Sequence, residues 1–329
     1  MNQTILVTGG NGFIGSRVVE QLLAAGYAVA VLDDNSSPSH YATHNQTHTN
    51  ATFYDADLCD PAAYADINAR HDIRCVIHLA AKHYIPFCNA FPEITEHDNI
   101  EGTLAVRDYA MQHDIPIVFA SSAAVYCNTP NKTAETAQEL TLDQADIYSD
   151  TKIRGEQLLA AGGLPYAALR FFNVYGAFDP HEHLIPKLVR HALLGSAELQ
   201  LGSKDSIRDY VYVDDVATAV ITVMQELLRT RRSLTSDVAT DTGTRVEDLV
   251  NTVFDAYAAS HPDYQLPTVT YEVQTFKRQN EIKLLESNAA KTSLLKQLHC
   301  LPTTPLAEGL RRTLQAEQAA QATLGASER

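Results

Sequence analysis

Tyr148 and Lys152 stand four residues apart in IYSDTKIRGEQ, a spacing that puts both side chains on one face of a helix. A free phenol gives up its proton near pH ~10, and an ammonium within about 4–6 Å lowers that value by about 1–3. Such a tyrosine can take a proton from a hydroxyl while hydride leaves the same carbon for a nicotinamide. With 15 tyrosines in the chain this spacing also arises by chance, so its surroundings must decide. A second candidate is ILVTGGNGFIG at 5–15, where Gly9, Gly12 and Gly15 separate an apolar run from a helical pattern. Glycines there let the backbone turn tightly, approach a pyrophosphate and offer it amide groups at a helix N-terminus. The next apolar run ends at Asp33-Asp34, about 20 residues on, where a carboxylate accepts from ribose hydroxyls and repels a 2′-phosphate. No arginine follows closely, which favours NAD over NADP. A third candidate is ASSAAVY at 120–126: the adjacent hydroxyls of Ser121 and Ser122 either cap a strand or touch a reacting group.

These groups need a scaffold, and the chain supplies one by alternation. Short apolar runs at 4–8, 28–32, 52–54, 75–79, 115–120 and 166–171 read as strands. Helical patterns at 13–25, 61–71, 94–113 and 148–162 lie between them. Strand and helix in turn predict βαβ units and a doubly wound parallel α/β sheet of the Rossmann type. The expected division is a cofactor-binding domain over 1–172, also taking in about 209–240, and a smaller C-terminal α/β substrate domain over 173–329. Further helices are expected at 215–231 and 246–259, the second with Thr244 and Glu247 as a capping box. The Ala- and Gln-rich tail from Ala316 reads as a helix or a frayed end.

Composition narrows the partners. At 329 residues, 45% apolar and 20% charged, the chain reads as an ordinary globular protein with a well-buried core. Its net charge of −15 argues against nucleic acid or an anionic membrane surface, so an anionic ligand needs a few placed cations. The five scattered cysteines form no CxxC pair, and the sequence enters its first apolar run at Thr4 with no basic leader, so a cytoplasmic protein is expected. No metal site is expected: His40, His44 and His48 recur every four residues, but in a stretch of Asn, Ser, Thr and Pro that reads as a solvated loop.

TGGNGFIG, Asp57-Leu58, HLAA at 78–81, NIEGT at 99–103, SSAAVY, Tyr148-x-x-x-Lys152, LRFFNVYG at 169–176 and RDYVYVDD at 208–215 follow one another in this order. In them the chain resembles the extended short-chain dehydrogenase/reductases, and within these the NAD-dependent nucleotide-sugar epimerase/dehydratase branch typified by UDP-glucose 4-epimerase. The resemblance spans nearly the whole chain and implies a role for each matching residue. Gly9, Gly12, Phe13, Ile14 and Gly15 are expected to hold the NAD pyrophosphate, Asp33, Asp34 and Asn35 the adenosine ribose, and Asp57 and Leu58 the adenine. Leu79, Ala80, Ala81, Lys82 and Asn99 are expected along the cofactor cleft, with Phe171 beside the nicotinamide. Tyr148 is the implied acid/base, Lys152 the residue that tunes it and binds the nicotinamide ribose, and Ser122 the group that holds the reacting sugar oxygen. Asn173, Lys187, Arg208 and Arg278 are the implied contacts to a nucleotide-diphospho-sugar, the two arginines gripping its diphosphate. A homodimer built on helices near 94–113 and 148–162 is implied as well.

The reaction expected on this basis is C4 epimerisation of a UDP-hexose through a transient 4-keto sugar. A dehydratase, decarboxylase or keto-sugar reductase of the same family is the alternative. Related 4,6-dehydratases carry an Asp-Glu pair where Ala123 and Ala124 stand here, and a methyl group cannot deliver the proton that water elimination needs. An alternative of another class, a non-catalytic NAD-binding regulatory module, is opposed by the intact Ser122, Tyr148 and Lys152. The chain also departs from the family pattern: Cys127 follows Val-Tyr where glycine is usual, Ile147 precedes the tyrosine where proline is common, and KHYIPFCNAFPE at 82–93 is unlike a galactose-pathway epimerase. His83 in that segment either reaches the substrate or fills the cleft wall, while His181 and His183 read as a polar loop.

Overall fold

The apolar runs of the first half become strands buried on both faces, except the run at 52–54, which becomes a half-buried edge strand. The computed structural model describes residues 4–37, 39, 45–126, 146–271, 284–285, 287 and 289–327; Arg278, Cys127, His40 and His44 lie outside the described residues. Strands β1 (Thr4–Thr8), β2 (Ala28–Asp33), β3 (Ala51–Asp55), β4 (Ile73–His78), β5 (Ile117–Ser122) and β6 (Tyr166–Phe171) fall within two residues of their expected bounds. With β10 (Leu234–Val238) they form one parallel sheet in the order β10-β6-β5-β4-β1-β2-β3. The fold is thus the expected Rossmann type. β10 escapes a hydropathy reading because LTSDV buries polar groups: Asp237 accepts from the Tyr126 hydroxyl at 2.7 Å and from Ser287 Oγ at 2.7 Å.

Helices α1 (Phe13–Ala24), α2 (Pro61–Arg70), α3 (Ile85–Ala90), α4 (Pro92–Glu96), α5 (Gly102–His113) and α6 (Ile147–Ala161) connect these strands. The single helix expected over 94–113 is interrupted by a π turn at His97–Glu101, between α4 and α5. Asp60 and Asp146 cap α2 and α6, accepting from the backbone N–H of Ala62 and Ser149 at 2.9 Å each.

After Phe172 the chain builds a second half. β9 (Ile207–Tyr212) pairs with β7 (Asn173–Tyr175), β11 (Gly243–Arg245) and β13 (Leu284–Leu285), while β8 (Glu198–Leu201) pairs with β12 (Thr268–Tyr271). Helices α7 (Leu184–Leu194), α9 (Val246–Ala258) and α11 (Leu306–Ser327) cover these strands, with Leu188, Leu249, Val253 and Leu310 fully buried among them. The tail is therefore helical from Leu306, ten residues before the Ala-rich stretch. The capping box does not form: the residue before α9 is Arg245, without a side-chain cap, because Thr244 is spent in β11 opposite Arg208. Between these strands α8 (Val213–Thr230) crosses back and packs Val216, Val220, Val223 and Leu227 against Val18, Val19 and Leu22 of α1. A short helix α10 (Ser293–Gln297) lies beside β10.

Candidate active site

A cleft of about 1300 Å³ runs along the carboxyl ends of the parallel strands and under the second half. Its floor at one end is the glycine turn. Gly9 has φ +69°, and a Cβ there would stand 2.6 Å from the backbone nitrogen of Ala80 at the tip of β4. A Cβ on Gly15 would lie 1.9 Å from the Gly9 carbonyl oxygen, so only glycine lets α1 start this close to β1. Gly12 precedes α1 without a side-chain cap, leaving the helix N-terminus to face the cleft beside Phe13 and Ile14.

At the tip of β2 the two carboxylates behave differently. Asp33 accepts from the backbone N–H of Asn11 at 2.9 Å and of Asn35 at 2.8 Å, and burial pushes its pKa up against these two donors. Burial pushes the more open Asp34 up as well, but the Ser36 hydroxyl and N–H and the nearby Lys82 charge outweigh it, and its pKa is lowered. Lys82 Nζ donates to Ser36 Oγ at 2.8 Å and pairs with Asp98 at 3.0 Å and Asp34 at 3.7 Å, strapping the β2 and β4 tips together. Asp57 and Leu58 line the cleft beyond them, and Leu79, Ala80 and Ala81 run along its side.

Two of the expected cofactor residues stand behind this wall. Asn35, at φ 55°, accepts from the Asn11 side chain at 2.7 Å. Asn99, 3% exposed, receives the Lys82 N–H at 2.8 Å and donates to the Lys82 carbonyl and to Thr151 Oγ1, each at 2.9 Å. It therefore ties the β4 loop to α6 one residue from Lys152. His78 of the HLAA motif is likewise internal. Thr103 Oγ1 donates to the Asn99 carbonyl at 2.6 Å, so His78 Nε2 donates to Thr103 at 3.0 Å and Nδ1 accepts from Thr8 at 2.7 Å. Burial, then the Lys152 charge, push this imidazole down to about 3, which keeps it neutral.

Ser122, Tyr148 and Lys152 share the cleft wall. β5 runs two residues beyond the expected Ala120, so Ser121 and Ser122 are successive strand residues and point to opposite faces. Ser121 donates to Glu156 Oε1, whereas the Ser122 hydroxyl accepts the Ala124 N–H at 3.1 Å and keeps its own proton for a ligand. Lys152 Nζ donates to the Ala120 carbonyl at 2.8 Å and lies 5.8 Å from the centre of the Tyr148 ring. Burial pushes the Lys152 ammonium down to about 8, against the charge of Glu156. Phe171 and Phe172 close the bottom beside them.

Asn173, Lys187 and Arg208 line the other end, with Lys187 donating to the Gln200 carbonyl at 3.1 Å and Arg208 to the Ile207 carbonyl at 2.8 Å. Alternation along β9 turns Ser206, Arg208 and Tyr210 to the cleft. Asp209 on the other face accepts from Thr240 N, Thr240 Oγ1 and Thr242 N at 3.0, 2.7 and 3.2 Å, which anchors the strand; burial pushes its pKa up to about 6.

The family model for the NAD dependent epimerase/dehydratase family matches residues 5–233. The chain belongs to this family. Among related proteins, the UDP-glucose 4-epimerase of Bacillus subtilis is 31% identical over 272 residues, 75% of this chain and 80% of that protein. A UDP-N-acetyl-alpha-D-glucosaminuronate decarboxylase of Bacillus cytotoxicus is 26% identical over 96% of this chain and 98% of its own length. Among solved structures, the UDP-glucose 4-epimerase of Stenotrophomonas maltophila with bound NAD and formylated UDP-arabinopyranose superposes with a TM-score of 0.83 at 27% identity, covering 98% of this chain and 99% of that one.

The protein is thus an NAD-dependent nucleotide-sugar enzyme of the epimerase/dehydratase family, and its cleft fits that cofactor: the glycine cradle leaves no room for a side chain, and the uncapped end of α1 faces it. Reading from sequence overlooked Glu156, Arg170 and Tyr126. Arg170 donates to both oxygens of Glu156 at 2.9 and 2.7 Å and to the Tyr126 hydroxyl at 2.9 Å. The signal was available, since Glu156 continues the Tyr148–Lys152 face by another four residues. Asp57, Cys59 and His97 also bring possible metal-ligand atoms within 4.8 Å of one another. Burial, Asp57 and Glu101 push the Cys59 thiol up to about 11, so without a metal it is protonated at neutral pH.

Proposed function

We propose that this protein epimerises a nucleotide-diphospho-sugar at C4, with a UDP-hexose as substrate. The observation that carries the reading is the wall on which Ser122, Tyr148 and Lys152 meet while the next two residues, Ala123 and Ala124, offer only methyl groups. Bound NAD supplies a reversible hydride acceptor for the sugar carbon and is restored within each turnover. Gly9, Gly12, Phe13, Ile14 and Gly15 hold its pyrophosphate, Asp33 and Asp34 a ribose, and Asp57 and Leu58 the adenine. Tyr148 takes the C4 hydroxyl proton and returns it, Ser122 holds that oxygen, and the Lys152 ammonium stabilises the charge that develops as the proton moves. Lys187 and Arg208 hold the diphosphate with Asn173 beside them; Arg278, the second arginine that the resemblance implies for it, lies outside the described residues. The epimerase of Bacillus subtilis supports this reading by its identity.

A decarboxylase is the second reading, favoured by the relative that matches almost end to end. Incubating the purified protein with UDP- and dTDP-hexoses and UDP-hexuronates, and following the sugars by NMR, separates the two. A 4-epimer with NAD unchanged is expected. Carbon dioxide or a 4-keto-6-deoxy sugar refutes it, and inertness across the panel favours a regulatory module.

The same reading places the protein in the cytoplasm as a homodimer joined through α5 and α6. Half-exposed Phe91, Ile94 and Met111 near these helices support that face. Light scattering at micromolar concentration should give twice the chain mass of 36.1 kDa.

A further inference from the structure

His83, Tyr84, His181 and His183 form a wall of rings where the two halves of the molecule meet. The loop carrying His83 and Tyr84 leaves β4 beside the tip of β5 and runs into α3, which packs on the Tyr148 helix. His83 lies 4.5 Å from His181 and 5.8 Å from His183 between ring centres, and Tyr84 stacks on His181 at 5.5 Å and 13°. All four side chains line the cleft. Among the described residues the imidazoles of His83 and His181 have no hydrogen-bond partner, so their nitrogens remain available to a ligand. The fixed charge of the wall is negative. Asp179 is committed, with Oδ1 accepting from the backbone N–H of His181 at 3.1 Å and Oδ2 on His183 Nδ1 at 2.8 Å, and Glu182 pairs with Arg190. Burial first, then His181 and His183, push the His83 imidazole down to about 3; burial lowers His181 too, against Asp179.

We propose that this ring wall reads the sugar, and that it selects an uncharged pyranose over a hexuronate. The inference rests on the nucleotide-sugar reading above and adds the surface that recognises the sugar and the class of sugar that it turns away. Flat rings stack on the C–H face of a pyranose, and the neutral imidazoles of His83 and His181 both donate to and accept from its hydroxyls. A carboxylate in the same place meets the charge of Asp179, and the segments that carry the wall, 83–84 and 179–183, hold no lysine or arginine, so it is rejected by like charge.

Calorimetric titration of the NAD-loaded protein with UDP, UDP-glucose and UDP-glucuronate tests this whether or not turnover occurs. UDP-glucose is expected to bind at least about tenfold more tightly than UDP-glucuronate. In His181→Leu, UDP-glucose should fall toward the affinity of UDP alone while UDP itself is unchanged; in Asp179→Asn the discrimination should shrink. Equal or tighter binding of the uronate overturns the proposal, as does a His181→Leu variant that loses UDP and UDP-glucose in parallel. If both variants unfold, the wild-type comparison still decides. Inertness of every sugar with selective binding retained would sink the epimerase reading and leave the subsite standing.

Discussion

The two ends of the cleft are held in different ways. At the cofactor end the polar groups are committed to backbone: Asp33 to two amides, Asn99 to the N–H and the carbonyl of Lys82, Lys152 to the Ala120 carbonyl. At the substrate end Lys187 and Arg208 reach the cleft on long side chains, and the sugar wall consists of rings on two loops. A site made of strand tips can change little without unfolding the sheet, whereas a site made of side chains can be rewritten one residue at a time. Variants at the first end should therefore cost stability or chemistry, and variants at the second should cost substrate affinity alone.

The largest effect is expected from Tyr148→Phe. Removing a general base typically costs a factor of about 10²–10⁴, so kcat should fall by that much while NAD content, read by absorbance after denaturation, stays at the wild-type level. Near-normal turnover refutes the assigned base. Loss of NAD would instead show that the phenol also belongs to the cofactor cradle.

Glu156→Gln separates scaffold from chemistry within the same helix. Arg170 and Glu156 side chains are 7% and 16% exposed, so the substitution leaves a buried guanidinium short of its counter-charge, at a cost of about 3–5 kcal/mol in urea unfolding. Because the Glu156 charge raises the Lys152 pKa, its removal lets Lys152 lose its proton at lower pH, and the alkaline limb of the pH–rate profile should move down. Destabilisation with an unmoved profile would leave Glu156 a purely structural residue.

These contrasts also explain what the sequence disclosed. Six strands and the glycine turn were legible because buried parallel strands are continuous apolar runs and because Gly9 and Gly15 answer steric demands that any reader of spacing can see. β10 was missed because its polar side chains are satisfied by Tyr126 and Ser287, partners remote in sequence. Asn99 stood in the right motif, but its tie to Lys82 and Thr151 depends on the π turn that also broke the expected helix. The ring wall was invisible as a unit: His83 and His181 are 98 positions apart, and only the meeting of the two halves brings them together.

Lys152→Met tests whether the cofactor end carries a stability cost for its chemistry. Burial holds the ammonium at about 8 rather than the ordinary 10.5, so the protonated form is destabilised in the folded chain by about 3 kcal/mol. Between these pH values the unfolded chain binds more protons, and the wild type should gain stability as pH rises from about 8 toward 10.5. The methionine variant should lack that rise, unfold at a higher temperature at pH ~7, and be inactive. A lower melting temperature would mean that the bond to the Ala120 carbonyl outweighs the burial of charge.

Arg208→Gln is the matching test at the substrate end, and its effect should be the smallest and the most confined. The guanidinium sits on the cleft face of β9, while the strand itself is anchored from the other face by Asp209 and the Thr240–Thr242 amides. Losing one charge-assisted contact to a diphosphate costs about 1.5–3 kcal/mol, so KM for a UDP-hexose should rise by roughly 10–150-fold with kcat nearly unchanged. Melting temperature and NAD content should move little, because the strand keeps its anchor on the opposite face, where Asp209 holds Thr240 and Thr242. Added salt should narrow the gap between variant and wild type, since it screens the interaction that only the wild type has. An unchanged KM removes Arg208 from the diphosphate site; a variant that sheds NAD shows that the two ends are coupled through β9, and that the division drawn between them is too sharp.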